Sequence, residues 1–386
     1  MAIQLKMVRT TADKANVYQL RHRVFIEEEQ RFDIFTDHIF DRFDSFEETT
    51  NMLAFSDNAP VAGIRVILDG PAGFPVLQAF DFEPLRRTLT GGCASVGWFC
   101  ISKPFRRNPG LVVSLIQMCF RQMRKHQARH VLAVVYPPAM AFMKRLLGAQ
   151  ALGPEIEDPH LKVGIIPVHV DLENLPTGSR ERFVDPPEHL FEDSVDRRLY
   201  RKNEVIIARG EMGTEVFQVL RGVVRVEGNG SSVAATGNTP LLMGPGQIFG
   251  ELAALDGRER TSTIMAHSED VDVMVWDNNA IMDQLRVSPE RMLSLYKLMA
   301  DRMRRTLDGG TANPSTALAA RLLVGASGHT NQPVDARWLA GQCGLDHQSL
   351  TNMVMPWAQD HLIESDPLHQ HIWVLDRSRL SQCVQM

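Results

Sequence analysis

The spacing of hydrophobic positions changes twice along the chain. Residues 1 to about 172 alternate helical and strand patterns, beginning with a predicted helix over 11–29. From 194 to 285 the pattern changes to short, β-branched strands that Gly and Asn interrupt. A long amphipathic helix over 288–307 comes next, and further helical segments follow it. The pattern predicts an α/β domain, an all-β domain and a mainly α-helical carboxyl-terminal region.

These changes divide the 386 residues into five predicted segments. Two of the segments contain polar stretches rich in Pro or Gly, which are typical of linkers and hinges. The predicted segments are a first domain at 1–175, a linker at 176–193, a second domain at 194–287, a helix with a hinge at 288–310, and a last domain at 311–386.

Composition and charge narrow the class of protein without identifying it. Hydrophobic residues make up 44% and charged residues 23% of the chain, and a net charge of -5 gives no global argument for nucleic acid. The five cysteines are scattered and form no CxxC pair. That pattern favours a reducing, cytoplasmic compartment over a disulfide framework or a zinc site. We expect neither a signal peptide nor a membrane-spanning segment.

No metal site is predicted, although two histidines have a suggestive spacing. His126 and His130 are four residues apart and would share a face if both lay in one helix. Two imidazoles at that spacing can bind a metal, but no carboxylate or third ligand accompanies them. We therefore expect both histidines to be solvated.

A glycine loop lies between a predicted strand at 94–101 and a predicted helix at 111–126. A glycine loop that opens a helix presents backbone amides and the positive helix end to a pyrophosphate, and neighbouring arginines add charge. A capped helix start with solvated arginines is the alternative. The order of strand, loop, long helix, strand, short helix and strand resembles the acyl-CoA-binding half of the GNAT acyltransferase fold. The donor-binding residues that the resemblance implies are Arg106, Arg107, Asn108, Gly110 and Val112, of which Val112 is bulkier than the family norm.

The first fifty residues narrow this resemblance. The stretches 20–27 and 41–44 resemble the amino-terminal signature of acyl-homoserine-lactone synthases and N-acyl amino acid synthases. These enzymes transfer an acyl group from a carrier protein or coenzyme A to the amine of an amino-acid-like acceptor. A carboxylate near that amine would orient it or take its proton. The acceptor-pocket residues that the resemblance implies are Arg21, Asp41, Asp44 and Arg65.

Two observations leave alternatives open in this region. Arg21 and Asp44 would also be explained as an ordinary ion pair that holds the first helix in place. In the strand before the glycine loop, Ser95 stands where the lactone synthases have Glu, and Trp98 stands where they have Arg. We therefore do not expect lactone formation, whereas a plain N-acyl transfer, a different acceptor and a lost activity all stay open.

The stretch 249–263 has the most specific functional pattern in the sequence, because it places Gly250-Glu251 ahead of Arg260. A glycine lets the backbone approach an anion, an arginine supplies a charged fork for a phosphate, and a glutamate can accept from a sugar hydroxyl. A surface turn with an incidental arginine is the alternative. The stretch resembles the phosphate-binding cassette of cyclic-nucleotide-binding domains, whose β-roll the surrounding strands also resemble. The residues that this resemblance places at the nucleotide are Gly250, Glu251 (ribose), Leu252, Ala253, Arg260 (cyclic phosphate), Thr261, Ser262 and Thr306.

The helix at 288–307 resembles the dimerisation helix of the catabolite-activator family, although an amphipathic helix can also pack within one chain. Residues 334–359, with a strand at 371–375, resemble a winged helix-turn-helix. Residues 311–386 carry four Lys and Arg against six Asp and Glu, and Pro356 is expected to interrupt the second helix. DNA binding is therefore disfavoured, and it stays possible only through His347, Gln348 and Asn352.

The sequence as a whole predicts a cytoplasmic, dimeric, cyclic-nucleotide-regulated N-acyltransferase. Its fold class would be α/β plus all-β plus α: a GNAT-like domain, a β-roll with a dimer helix, and a winged helix. The donor would be acyl-CoA or acyl-carrier protein, the acceptor a small-molecule amine, and the effector a cyclic nucleotide, with cyclic AMP favoured. The alternative is a cyclic-nucleotide-responsive transcription regulator whose first domain senses an acyl ligand without catalysis. A scaffold that has lost both activities is a third possibility.

Overall fold

The computed structural model describes most of the chain in two compact units. The first unit runs from Ile3 to Asp185, and the second comprises Pro186–Met386 together with the first two residues. The residues described are 2–31, 36–75, 80–158, 163–176, 179, 183, 196–227, 241–307, 316, 319–320, 322–323, 333–343 and 345–382.

The first unit is an α/β domain built on one mixed sheet. Its strands are β1 (Ile3–Met7), β2 (Thr49–Ser56), β3 (Ala59–Leu68), β4 (Gly92–Ile101), β5 (Ala128–Val135), β6 (Gln150–Ala151), β7 (Ile156–Asp158) and β8 (Val163–Asp171). They follow the order β1-β2-β3-β4-β5-β8-β6, and β7 also pairs with β8. The pairing of β4 with β5 is parallel, whereas the other described pairs in this unit are antiparallel.

Helices cover this sheet and connect its strands. They are α1 (Thr11–His22), a π-helical segment (Arg23–Glu28), a short 3-10 turn (Arg42–Ser45), α2 (Glu83–Arg86), α3 (Pro109–Lys125) and α4 (Pro137–Leu147). The single helix predicted over 11–29 is therefore an α-helix that widens into a π-helix after His22. The helix predicted at 111–126 is confirmed as α3, and α4 ends at Gly148, whose φ of 65° suits a glycine cap.

The two parallel strands separate at their carboxyl ends. Pairing between β4 and β5 ends at Val96 and Ala133, although β5 continues to Val135. On its other side β4 stays paired with β3 up to Ile101, across a bulge that contains Trp98. After Val96, β4 therefore makes no further pairing with β5.

One of the two histidines behaves as expected, because His126 is exposed, and the other does not. His126 follows α3, but His130 lies in β5, so the two cannot share a helix face. His130 is buried, with its Nε2 3.0 Å from the carbonyl of Thr90 and its Nδ1 3.1 Å from Nε2 of His169. The expectation that His130 is solvated is therefore wrong, because His130 lies within the buried strand that follows the long helix and not in that helix.

The second unit begins with a β-roll of two four-stranded sheets. Its strands are β9 (Asp196–Arg201), β10 (Val205–Ile207), β11 (Val216–Arg221), β12 (Val224–Glu227), β13 (Leu241–Met243), β14 (Ile248–Phe249), β15 (Thr263–Ala266) and β16 (Asp270–Trp276). One sheet has the order β14-β11-β16-β9 and the other β10-β15-β12-β13. Apolar side chains from both sheets, including Phe217, Val219 and Ile264, form a common buried cluster. A short helix, α5 (Glu251–Asp256), joins β14 to β15.

Two consecutive helices follow the β-roll. The sequence pattern did not predict the first, α6 (Asn278–Val287), although Asp277 caps it through the amide of Ala280 and Ile281 and Leu285 are buried on it. The second, α7 (Pro289–Leu307), confirms the long helix predicted at 288–307.

The carboxyl-terminal elements are β17 (Val334–Asp335), α8 (Ala336–Cys343), α9 (His347–Gln359), β18 (Ile363–Ser365), β19 (His371–Val374) and α10 (Arg377–Gln382). The three strands form a sheet in the order β17-β19-β18. Helix α9 continues through Pro356, so the expected interruption is wrong. Proline removes a single backbone donor, and Pro356 is exposed in the last turn, where the Asp360 amide still reaches its carbonyl.

Parts of the predicted linker and hinge lie outside the described residues. Within the linker predicted at 176–193, Phe183 is buried, and its ring lies 5.5 Å from that of Phe120. The first unit therefore extends beyond the predicted end at 175. The hinge at 308–310 and the side chain of Thr306 are not among the described parts. In the residues that are described, no helix is both long and apolar enough to cross a bilayer.

Candidate functional site

A buried ion pair lies at the centre of the first candidate site. Arg21 on α1 donates to both carboxylate oxygens of Asp44, at 2.7 and 3.0 Å, and to Oδ1 of Asn51 at 2.7 Å. Both charged side chains are only 1% exposed. Burial alone would raise the pKa of Asp44, but the hydrogen bonds and charge of Arg21, with the charge of Arg65, lower it to about 2. The pair fixes α1 against the turn that carries Asp44.

Asp41 is the most accessible of the four residues predicted in the acceptor pocket. Its Oδ1 accepts hydrogen bonds from Nη1 of Arg65 at 2.7 Å and from the amide of Phe43 at 2.9 Å. Its Oδ2 accepts from the indole N–H of Trp98 at 3.1 Å. The Asp41 side chain is 33% exposed, compared with 3% for Arg65. The structure brings the four residues together, and Asp41 is the one that a ligand can reach.

Trp98 lies on β4 just after the point where pairing with β5 ends, and its indole donates to Asp41 of this cluster. Two further aromatic rings near that point are exposed: Phe99 on β4, and Tyr136, which directly follows β5. Exposed aromatic surface beside an unpaired strand edge is suited to a ligand that has both apolar and amide groups. The carboxylate and the opening between the strands are thus connected through Trp98.

The predicted donor loop is less free than its sequence suggests. Arg106 donates to the carbonyl of Ile101 and forms ion pairs with Glu28 at 2.8 Å and Glu29 at 3.0 Å. Asn108 is buried as the N-cap of α3, where its Oδ1 accepts from the amide of Leu111 at 3.0 Å. The remaining predicted residues are Arg107, which is exposed, Gly110, which is buried, and Val112, which is half-buried.

In the β-roll, the guanidinium of Arg260 is held by backbone carbonyls. Its Nη1 donates to the carbonyl of Gly250 at 2.7 Å, and its Nη2 donates to that of Glu215 at 2.9 Å. Gly250 has a φ of 81°, a backbone conformation that favours glycine, and a Cβ there would lie 2.9 Å from Nη1. Arg260 is 6% exposed and Glu251 is also buried. The structure therefore brings Gly250, Glu251 and Arg260 together.

Burial lowers the pKa of Arg260, and the charges of Glu215, Glu211 and Glu251 oppose that effect. An arginine remains charged over the range in which proteins are folded. The other described residues predicted at the nucleotide differ in exposure: Leu252 and Thr261 are exposed, Ser262 is half-buried and Ala253 is buried.

The sequence interpretation missed three residues around Arg260. A Cβ atom on Gly213 would lie 2.5 Å from Nε of Arg260, so only glycine leaves room for the guanidinium. Glu215 supplies a carbonyl acceptor and forms an ion pair with Arg198. The ring of Phe217 lies 5.9 Å from the guanidinium carbon. Nothing in the local sequence around Gly213 indicates a contact with an arginine 47 positions further along the chain.

In the parts of the chain that are described, no group of three or more His, Cys, Asp and Glu side chains could hold a metal ion. The described cysteines are free thiols, and burial raises the pKa of Cys100 and Cys343 to about 12.

Comparisons with known proteins give a separate match for each of two parts of the chain. Residues 16–171 match the family model described as "N-acyl amino acid synthase FeeM", and residues 197–287 match the model of the cyclic nucleotide-binding domain. A cyclic AMP receptor protein of Thermus thermophilus is 31% identical over 108 residues, covering 28% of this chain and 49% of its own. A CRP-like cAMP-activated global transcriptional regulator of Mycobacterium tuberculosis is 30% identical over 109 residues, covering 28% and 46%. The chain therefore spans about half the length of the curated relatives that it matches.

Two solved structures are similar to the two parts of the chain. FeeM, an N-acyl amino acid synthase from uncultured soil microbes, has 14% identity and a TM-score of 0.39, covering 48% of this chain and 97% of its own. The catabolite activator protein of Thermus thermophilus has 23% identity and a TM-score of 0.25, covering 49% and 89%. The two family matches confirm the predicted synthase-like domain and the predicted cyclic nucleotide-binding β-roll. The chain thus contains one region, 16–171, that is similar to N-acyl amino acid synthases and a second, 197–287, that is similar to cyclic nucleotide-binding domains.

Proposed function

We propose that this protein is an N-acyltransferase whose activity a cyclic nucleotide regulates. The observation that carries the proposal is the accessible carboxylate of Asp41, held by Arg65 and Trp98 next to the opening between β4 and β5. A second, separate observation is the buried Arg260 beside Glu251 in the β-roll of the same chain. The first site suits an amine and the second suits a cyclic phosphate with its ribose.

In the proposed reaction, Asp41 binds the ammonium group of the acceptor and orients it towards an acyl thioester. Once the amine has lost a proton, its nitrogen attacks the thioester carbonyl carbon. The C–N bond forms, the C–S bond breaks, and the thiolate takes one proton to leave as a thiol. The second proton leaves through the Asp41 carboxylate to solvent. Arg21, Asp44 and Arg65 act as positioning residues, because their side chains are too buried to meet the acceptor directly.

The donor is an acyl thioester, and the loop before α3 favours one on a carrier protein over acyl-CoA. Pro109 has no amide proton, and the Leu111 amide is already bonded to Asn108. Glu28 and Glu29 already pair with Arg106. A loop with these donors engaged suits the single phosphodiester of phosphopantetheine better than the pyrophosphate of coenzyme A. Arg107, which is exposed, is the residue proposed to meet that phosphate.

The effector is a cyclic nucleotide, and we favour cyclic AMP because both curated relatives carry it in their names. The phosphate would accept the hydrogen bonds that Arg260 now donates to the carbonyls of Gly250 and Glu215. Nucleotide binding would thus release these two carbonyls, so the contacts within the β-roll would differ between the bound and the unbound state. Regulation requires such a difference between two states.

We further propose that the protein is a homodimer that acts in the cytoplasm. Helix α7 exposes Met292, Tyr296 and Met303, which a second copy would cover. The buried, unpaired thiols of the described cysteines fit a reducing compartment. A transcription regulator with a winged helix is the second candidate. The acidic balance of 311–386 disfavours it, because phosphate contacts require positive charge.

One assay tests the proposal. Acyl-CoA and acyl-carrier protein are each incubated with an amine panel, with and without cyclic AMP, and the thiol released is measured. We expect acceptor-dependent thiol release that cyclic AMP alters, and we expect Asp41→Asn to lose most of it. The control is Asp57→Asn in the β2–β3 turn, which should match the wild type. Thiol release that ignores the acceptor, or that Asp41→Asn leaves intact, would contradict the proposal.

A further inference from the structure

Trp98 adopts a backbone conformation that bulky residues rarely accept. Its φ is 49°, and strain of this kind persists only where the surroundings impose it. Those surroundings are dense: the indole lies 5.6 Å from the ring of Phe25 and 5.0 Å from the guanidinium carbon of Arg21. The β4 bulge and these contacts direct the indole N–H to Asp41.

The hydrogen bonds to Asp41 leave one direction for a ligand. A carboxylate offers about four acceptor positions, two on each oxygen. Arg65 and the Phe43 amide occupy those on Oδ1, and Trp98 occupies one on Oδ2. The remaining position on Oδ2 belongs to a side chain that is one-third exposed. Trp98 thus sets the plane of the carboxylate and the direction from which an ammonium group can approach.

The charges in this cluster are balanced before any ligand arrives. The positive charges of Arg21 and Arg65 equal the negative charges of Asp41 and Asp44, and both guanidiniums are buried against these carboxylates. The indole N–H orients Asp41 without adding charge. An acceptor would therefore meet the Asp41 carboxylate first. The Nε of Arg65 has no hydrogen-bond partner among the described residues, but it is buried, and the Arg65 side chain is only 3% exposed. An arginine in place of Trp98 would give the cluster a net charge of about +1 and provide a partner for a carboxylate of the acceptor.

We propose that Trp98 is a specificity-determining residue that selects amines without an α-carboxylate over amino acids. The inference rests on the proposed acyl transfer at Asp41 and specifies its acceptor. An α-carboxylate next to the reacting amine would lie close to the Asp41 carboxylate, and like charges at that distance repel. An amine without that group pairs with Asp41 at no such cost.

Arg42 is the competing cation nearest in the chain. It is exposed, and its guanidinium carbon lies 4.9 Å from the ring centre of Phe43. If Arg42 bound the carboxylate of an amino acid, the wild type would prefer the amino acid, and Arg42→Ala would remove that preference. The test therefore includes this variant.

The test uses matched acceptors: phenethylamine against phenylalanine, and isopentylamine against leucine. The ratio of kcat/KM within each pair is measured from thiol release for the full-length wild type, Trp98→Arg, Trp98→Phe and Arg42→Ala. We expect the wild type to favour the amine about tenfold or more, a difference of about 1.4 kcal/mol. Trp98→Arg should reverse the ratio. Trp98→Phe should keep its direction and lower both kcat/KM values, because the indole donor to Asp41 is lost.

The outcomes separate the two proposals. Wild-type transfer to the amino acid that equals or exceeds transfer to the matched amine overturns the role of Trp98 and leaves the acyltransferase proposal standing. An unchanged ratio in a folded Trp98→Arg protein also overturns that role. If Trp98→Arg does not fold, the wild-type ratio and Trp98→Phe decide. No transfer to any acceptor overturns the proposed function, and the inference with it.

Discussion

A Cβ atom on Gly213 would lie 2.5 Å from Nε of Arg260, a distance that real Cβ contacts do not reach. Gly213→Ala should therefore displace the guanidinium and weaken cyclic nucleotide binding. Overpacking of this kind costs about 1–3 kcal/mol, which corresponds to a loss of affinity of about fivefold or more. Isothermal titration calorimetry with cyclic AMP measures the effect.

Gly341→Ala is the matched control, because a Cβ there would meet no atom within 4 Å. It should leave nucleotide affinity unchanged. Equal affinities for Gly213→Ala and the wild type would mean that Arg260 does not need its observed position to bind nucleotide.

Arg260 itself should be required for binding. Arg260→Ala removes the guanidinium that contacts the carbonyls of both Gly250 and Glu215, and with it the proposed partner of the cyclic phosphate. Hydrogen bonds to charged groups contribute about 1.5–3 kcal/mol each, so loss of a two-pronged contact should reduce affinity more than about a hundredfold. Titration calorimetry below the melting temperature of the variant measures this loss.

Arg258→Ala provides the comparison, because that side chain is 85% exposed in the same loop. We expect it to bind as the wild type does. Unchanged binding by Arg260→Ala would exclude the proposed cassette.

The Asp44–Arg21 pair should make stability depend on pH in the acid range. The pKa of Asp44 falls from 3.8 to about 2 on folding, so the folded state favours the ionised carboxylate. Its contribution is complete above the unfolded pKa and is lost as the pH falls from about 5 through 2, amounting to roughly 2 kcal/mol. Denaturant unfolding at pH 6, 4 and 3 measures the effect for the wild type and Asp44→Asn.

Other carboxylates contribute to the wild-type profile, since hydrogen bonds from Arg129 lower the pKa of Asp171 as well. The difference between wild type and Asp44→Asn isolates Asp44, and it should shrink as the pH falls. At neutral pH, Asp44→Asn should lower the free energy of unfolding by about 3–5 kcal/mol, because Arg21 stays buried without its carboxylate. A difference that does not vary with pH would contradict the assigned pKa.

Local patterns predicted much of the fold because helices and turns depend on neighbouring residues. The helices α3 and α7 followed from the spacing of their apolar residues. The π-helical segment was not predictable, because its first residues continue the apolar spacing of α1. Contacts between distant residues were equally hidden: Arg106 meets Glu28 across 78 positions.

Sequence patterns indicated residues of the candidate site but did not predict the contacts between them. Resemblance to the synthases indicated Asp41 and Arg65. In the structure, Nη1 of Arg65 lies 2.7 Å from Oδ1 of Asp41. The same comparison treated Trp98 only as a departure from the family. Its indole donates to Asp41 across 57 positions, because the β4 bulge turns it there, and no local spacing encodes that geometry.

Helix α7 provides the last prediction, which concerns the oligomeric state. Leu295 on this helix is buried with Ile281 and Leu285, whereas Met292 and Tyr296 are 53% and 69% exposed. These two residues are four positions apart and lie on one helix face, so a second copy of the helix could cover both. Met292→Glu combined with Tyr296→Glu should therefore convert a dimer into a monomer with the chain mass of 43.3 kDa, measured by light scattering after size exclusion.

Ser294→Glu is the control, because at about 100° per residue it lies about 200° around the helix from Met292. It adds the same charge and should leave the dimer intact. If the wild type has the mass of one chain at every concentration, or if the double variant keeps the wild-type mass, α7 is not the dimer contact. Its exposed residues would then require a different partner, and nucleotide binding would have to act within a single chain.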